Sequence, residues 1–153
     1  MRFFKREVVM QEVPGEISLC YFICGCPLHC QGCHSSFTWN EKTGVVLDKS
    51  EYANQIDKYK GYISCVLFMG GEWHEDELEE MLRIAKQKGL KTALYTGLET
   101  VSESIKRQLN YLKTGPWIES LGGLTSAVTN QQLVNLETGE VMNRIFRREI
   151  LAS

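Results

Sequence analysis

The 153-residue sequence has no apolar run near the roughly 20 residues that a membrane-spanning helix needs. Residues Met1 to Arg6 carry Arg2, Lys5 and Arg6, with no apolar stretch behind them like that of a secretory signal. The expectation is a cytoplasmic protein with no membrane partner. An excess of one charge is missing too. Seventeen Lys and Arg stand against 19 Asp and Glu, for a net charge of −2. Nucleic-acid binding leaves a basic footprint that is not seen here. Arg144, Arg147 and Arg148 gather near the end, but so short a cluster reads as a solvated tail. With only three prolines and no repeat or low-complexity tract, nothing marks a linker, so residues 1–153 are expected to form a single domain.

Cysteine is present beyond what stability asks for. A chain this long buries a core without disulfide or metal staples. The cytoplasm keeps thiols reduced, so clustered cysteines there point to metal or redox chemistry. Six are present. Cys20 and Cys65 sit inside apolar runs and read as small buried hydrophobes.

Hydrophobic periodicity sets the frame. Glu16–Ile23 and Tyr62–Met69 read as buried strands, and Lys91–Tyr95 and Tyr111–Thr114 as shorter ones. Between them, Ser50 opens a helix through Tyr59 that Gly61 ends. Glu75–Lys88 makes a strongly amphipathic helix, with acids in its first turn and lysines in its last. A third helix is expected over Val101–Leu109. Glu7–Val13 supplies a possible extra strand. Gln132–Leu136 and Val141–Phe146 flank Glu137-Thr138-Gly139-Glu140 as a hairpin. Strands alternating with helices argue an α/β fold with a parallel sheet. The expectation is a partial, open parallel β/α barrel of about four βα units with a C-terminal hairpin.

In such a sheet the segments after each strand meet along one edge, where these folds bind ligands. Here they are the cysteine loop, Gly70-Gly71-Glu72, Tyr95-Thr96-Gly97 and Thr114-Gly115-Pro116. The loop reads Gly25-Cys26-Pro27-Leu28-His29-Cys30-Gln31-Gly32-Cys33-His34, a CxxxCxxC motif. Soft thiolates suit an iron–sulfur cluster or zinc. Three thiolates hold three irons of a cubane and leave the fourth open. The alternative is a structural zinc site with His34 or His29 as fourth ligand. Cys24 offers a competing thiolate. No general base or nucleophilic triad stands out.

CxxxCxxC after one strand and Gly70-Gly71-Glu72 after the next resemble the radical S-adenosylmethionine superfamily. Further segments resemble the activating proteins of anaerobic (class III) ribonucleoside-triphosphate reductase. These are Thr38-Trp39-Asn40, Phe68 to Glu72, Tyr95-Thr96-Gly97, Thr114-Gly115-Pro116 and Thr129-Asn130-Gln131-Gln132. The resemblance implies a 4Fe–4S cluster on Cys26, Cys30 and Cys33, with S-adenosylmethionine chelating the open iron. It places Gly32, Cys33 and His34 beside the adenosine. Gly70 and Gly71 would bring backbone close to the methionyl amino group, Glu72 would accept from that ammonium, and Tyr95 and Thr96 would complete the site. It implies reductive cleavage of S-adenosylmethionine and hydrogen abstraction from a glycine of the reductase. A low-potential electron donor such as flavodoxin or ferredoxin is implied as well. Thr129, Asn130 and Gln131 are candidates for contact with the reductase. A pyruvate formate-lyase-like partner is the alternative; the short chain and single cysteine cluster favour the reductase. Two departures stand out. Gly32 occupies a position where many superfamily members have an aromatic residue; the reductase activases resemble this chain in having glycine there. Trp73 follows the glutamate where related chains often have proline.

Overall fold

The computed structural model describes residues 1–152. Ser18–Ile23 (β2) and Cys65–Met69 (β4) are almost continuously buried, as strands covered on both faces must be. Lys91–Tyr95 (β5) and Tyr111–Thr114 (β6) continue the sheet. All four run parallel, in the order β2-β4-β5-β6. Arg2–Val9 (β1) pairs antiparallel with β2, and the two-residue Val45–Val46 (β3) pairs antiparallel with β1. Gln132–Asn135 (β7) pairs antiparallel with β6. The seven-stranded sheet is therefore mixed, with β3 and β7 at its two ends. Register aligns the carboxyl ends, since Met69 stands opposite both Phe22 and Tyr95.

Helices Lys49–Lys58 (α1) and Glu75–Gln87 (α2) cover one face. Tyr52 and Ile56 join Leu78, Met81, Leu82 and Ala85 against Leu19, Tyr21, Ile23 and Phe68. The Tyr52 hydroxyl donates to the Met81 carbonyl at 2.9 Å, so this buried hydroxyl is satisfied. The cap of α1 is Asp48, whose side chain accepts from Glu51 N, and not Ser50. The third helix, α3, is only Glu103–Lys106. Thr92 and Asn110 exchange hydrogen bonds that draw the chain into β6 before a longer helix can form. Cys20, Leu67, Ala93 and Leu133 build a second core on the other face, with Ile145 and Phe146 packed on it.

The expected C-terminal hairpin is corrected. Its first strand is β7, and its turn closes with Gly139 N–H donating to Asn135 O at 2.8 Å. The return strand shrinks to one bridge, Val134 to Val141, and Asn143–Ala152 is a helix, α4. The cause is Asn143. Its Oδ1 accepts from Leu133 N at 2.9 Å, and its Nδ2 donates to Gln131 O at 2.7 Å. One buried amide thus does the pairing a second strand would have done, and the chain is free to coil.

Candidate metal centre and its cavity

The cysteine loop leaves β2 and is pinned by Thr38, at the end of a 3₁₀ turn, Ser36–Thr38. The Thr38 carbonyl accepts from Gly25 N at 2.7 Å and Cys26 N at 3.4 Å. Further on, Cys33 N donates to Cys30 O at 3.1 Å, and Ser35 N donates to Cys33 Sγ at 3.3 Å. His29 adopts φ 46°, and its ring stacks on Trp39 at 4.5 Å. Trp39 therefore closes the loop and does not line the cavity.

Cys26, Cys30 and Cys33 line one cavity of about 500 Å³. Each is half-buried. Burial pushes the Cys26 thiol up; the Leu28 N–H acts against this, and Glu72 adds to it. A cationic group is what such thiols need to deprotonate. The other three cysteines are elsewhere. Cys24 is buried and accepts from the Thr43 hydroxyl at 3.6 Å. Cys20 and Cys65 sit in the core, where burial raises both thiols, that of Cys65 to about 12.

The strand ends supply the rest. Gly70 and Gly71 have φ of 80° and 114°, which glycine alone adopts freely. Packing also requires glycine here. A Cβ on Gly70 would lie 2.4 Å from the Trp73 indole, and one on Gly71 would face Ile23 at 3.4 Å. Gly70 lines the cavity and Gly71 does not. Trp73 Nε1 donates to Cys24 O at 3.1 Å. The tryptophan that replaces proline thus ties the Gly-Gly-Glu loop to the cysteine loop.

Glu72 accepts the Thr96 hydroxyl on Oε1 at 2.6 Å, while its buried Oε2 has no partner among the described residues. Burial raises its carboxyl above the usual range, against the pull of Thr96 and Lys113. Lys113 is buried and donates to Gly115 O at 2.9 Å and Thr96 O at 3.4 Å. Burial lowers its ammonium to about 8, opposed by Cys30, Glu72 and Cys33. Neither Glu72 nor Lys113 forms a salt bridge among the described residues. Tyr95 lines the cavity, with its hydroxyl donating to the Glu12 carbonyl.

His34 is at the exposed rim, its ring 4.6 Å from that of Trp117. Gly32 is packed beneath Trp117 and outside the lining. Thr129 donates to Gly122 O at 3.0 Å, and Asn130 Nδ2 donates to Pro116 O at 2.9 Å. Both brace the loop over the cavity, and Gln131 alone of the three lines it. Lys113 and Trp117 are site residues that sequence reading missed. A lysine in an otherwise apolar strand, two residues before Gly115-Pro116, was the available signal for the first.

The donor set fits an iron–sulfur cluster. No three His, Cys, Asp or Glu side chains among the described residues converge as ligands of a single ion. A cubane takes each thiolate on a different iron and so spreads its donors around a cavity wall. Comparison with known proteins agrees. The family model described as a 4Fe-4S single cluster domain matches residues 13–120. A pyruvate formate-lyase-activating enzyme of Clostridium pasteurianum is 34% identical over 89 residues. That stretch covers 54% of this chain and 37% of the relative, so the chain spans little more than a third of that protein's length. No helix among the described residues is long and apolar enough to cross a membrane. The family match runs from the turn before β2 to the loop after β6, across every strand that faces the three thiols, and on that match the chain belongs to the 4Fe-4S single cluster domain family.

Proposed function

We propose that this chain is an activating enzyme that cleaves S-adenosylmethionine at its cluster and makes a glycyl radical on a partner protein. The observation that carries this reading is the pairing of charges beside the thiols. Glu72 has a carboxylate oxygen without a partner, and Lys113 is a buried ammonium without an ion pair. An α-amino acid carries the complementary charges. Its ammonium meets Glu72 and its carboxylate meets Lys113, each a charge-assisted contact in a low-dielectric wall. Cys26, Cys30 and Cys33 would hold the cluster, and Ser35 N–H donates to the Cys33 sulfur. A reduced cluster held by these thiols would supply the one electron needed to break the S–C5′ bond, the source of a radical able to take hydrogen from glycine. The protein positions the reactants and keeps water out. In this reading the four parallel strands are an arc of an open β/α barrel whose incomplete side faces the partner.

The partner we assign is anaerobic ribonucleoside-triphosphate reductase, with a flavodoxin or ferredoxin as electron donor. The support is the resemblance carried by Thr38-Trp39-Asn40, Thr114-Gly115-Pro116 and Thr129 to Gln132. The name of the Clostridium pasteurianum relative favours a second reading, a pyruvate formate-lyase-like partner. Electron paramagnetic resonance decides between them. The reconstituted protein is incubated anaerobically with reductant, S-adenosylmethionine and each partner in turn. A glycyl doublet on the reductase is expected. A doublet on the lyase alone selects the second reading. Neither doublet, while 5′-deoxyadenosine still forms, rules out activation of either partner.

A further inference from the structure

Two unlike groups of side chains line the cavity. One is charged, with Thr96 linking Glu72 and Lys113. The other is aromatic. The rings of His34 and Trp117 meet at 4.6 Å with 47° between their planes. Trp117 is held by its edges. Its Nε1 lies 3.3 Å from the point where a Cβ on Gly32 would stand, and its Cζ3 lies 3.6 Å from the same point on Gly123. Glycine at both positions lets the indole wedge between the cysteine loop and the loop that follows β6. A side chain on Gly32 would press on it. Trp117 lines the cavity beside His34. The other rings around the cavity are committed elsewhere. Tyr95 is bound to Glu12, Trp73 to Cys24, and Phe22 packs on Phe37 at 5.9 Å.

We infer that Trp117 is the surface on which the adenine of S-adenosylmethionine stacks, with His34 closing the edge of the slot. This rests on the reading that S-adenosylmethionine is the ligand. That molecule has a zwitterionic end and a flat heteroaromatic end, and the cavity lining offers charged groups for the first and rings for the second. Gly32 has no ring to offer the base, so the ring comes from a different element, the loop after β6. Stacking is tolerant of the base's substituents, because every base has a π face. Trp117 thus sets affinity for the base and leaves the amino-acid end to Glu72 and Lys113.

The test is equilibrium binding to the reconstituted, unreduced protein, with iron content measured for each variant. The probes are S-adenosylhomocysteine, S-ribosylhomocysteine, which lacks the base, and methionine. Trp117→Ala and Trp117→Leu are expected to bind S-adenosylhomocysteine about 10- to 100-fold more weakly, as lost base stacking predicts. Trp117→Phe stays within several-fold of wild type, and all variants bind the other two probes unchanged. Leucine keeps much of the volume, which covers a collapse of the alanine variant. Wild-type affinity for S-adenosylhomocysteine in iron-loaded Trp117→Leu overturns the stacking. So does equal weakening for all three probes, or loss of iron in both variants, since Trp117 then only shapes the cluster loop. If wild type binds none of the probes, the adenosylmethionine reading falls, and this inference with it.

Discussion

The two ends of the parallel strands carry the same kinds of side chain, a glutamate, a lysine and hydroxyl groups, in opposite states. At the amino ends, Glu16 precedes β2, Ser64 precedes β4, Lys91 opens β5 and Tyr111 opens β6. Both oxygens of Glu16 are engaged. Oε2 takes the Ser64 hydroxyl, and Oε1 takes the Tyr111 hydroxyl at 2.7 Å and Lys91 at 3.0 Å. Burial alone would raise this carboxyl, but Ser64, Tyr111 and Lys91 together hold it below its ordinary value. At the carboxyl ends, Glu72 keeps one oxygen unpartnered and its carboxyl is raised, and Lys113 is lowered. A satisfied set stabilises the fold. An unsatisfied one costs stability and is kept in place by the elements around it, which is the mark of a ligand site.

Substitutions at matched positions sharpen this contrast. The largest effect belongs to the thiols. Cys26→Ala, Cys30→Ala or Cys33→Ala each removes a ligand and abolishes S-adenosylmethionine cleavage, with iron lost on desalting. Cys65→Ser, at the amino end, keeps both iron and cleavage, whatever it loses in stability. Iron and sulfide analysis beside a 5′-deoxyadenosine assay reads both. Next comes Glu72→Gln. It weakens S-adenosylmethionine binding about 10- to 100-fold, the loss of one hydrogen-bonded charge. Its Tm does not fall, because the ionised carboxylate carries a burial cost above the ordinary carboxylate value of 4.5.

Glu16→Gln does the reverse. It lowers stability by about 1–3 kcal/mol, a Tm drop of roughly 2–4 °C per kcal/mol in a domain of this size, and leaves ligand binding alone. The sign with pH follows from the lowered carboxyl. The Glu16 contribution is full above about 4.5 and disappears as pH falls through its lower folded value, so wild type and Glu16→Gln converge in acid. Thermal melts from neutral to acid pH check this. The smallest effect on stability is expected of Lys113→Met. A lysine lowered to about 8 costs stability as pH falls from 10.5 through 8, and the cost is complete at pH 7. Its removal leaves the Tm at pH 7 unchanged or slightly raised, offset by two carbonyls that lose their donor. A large drop in Tm would place Lys113 among the stabilising groups with Lys91.

The central strands and the thiol positions were legible because parallel strands buried on both faces write unbroken apolar runs, and their loops must leave on one edge. The Lys91–Tyr95 and Tyr111–Thr114 strands have the bounds their composition implies. What pattern reading missed depends on single side chains reaching across the fold. Asn143 replaces a strand through its amide, and Asp48 caps α1 two residues before Ser50. Trp73 packs against Gly25 and Trp117 against Gly32, each far away in sequence. Lys113 sits within the short β6 strand, and only the assembled sheet shows the charges it faces. Periodicity has no access to such contacts, because it reports which face is buried and not what stands opposite.

The most direct test of the account is anaerobic. The protein is reconstituted with iron and sulfide, reduced, given S-adenosylmethionine and assayed for 5′-deoxyadenosine. The account predicts product from the wild-type protein and none from Cys33→Ala at intact fold. No product, with stoichiometric zinc in the protein as isolated, would contradict it and make the cysteine loop a structural metal site.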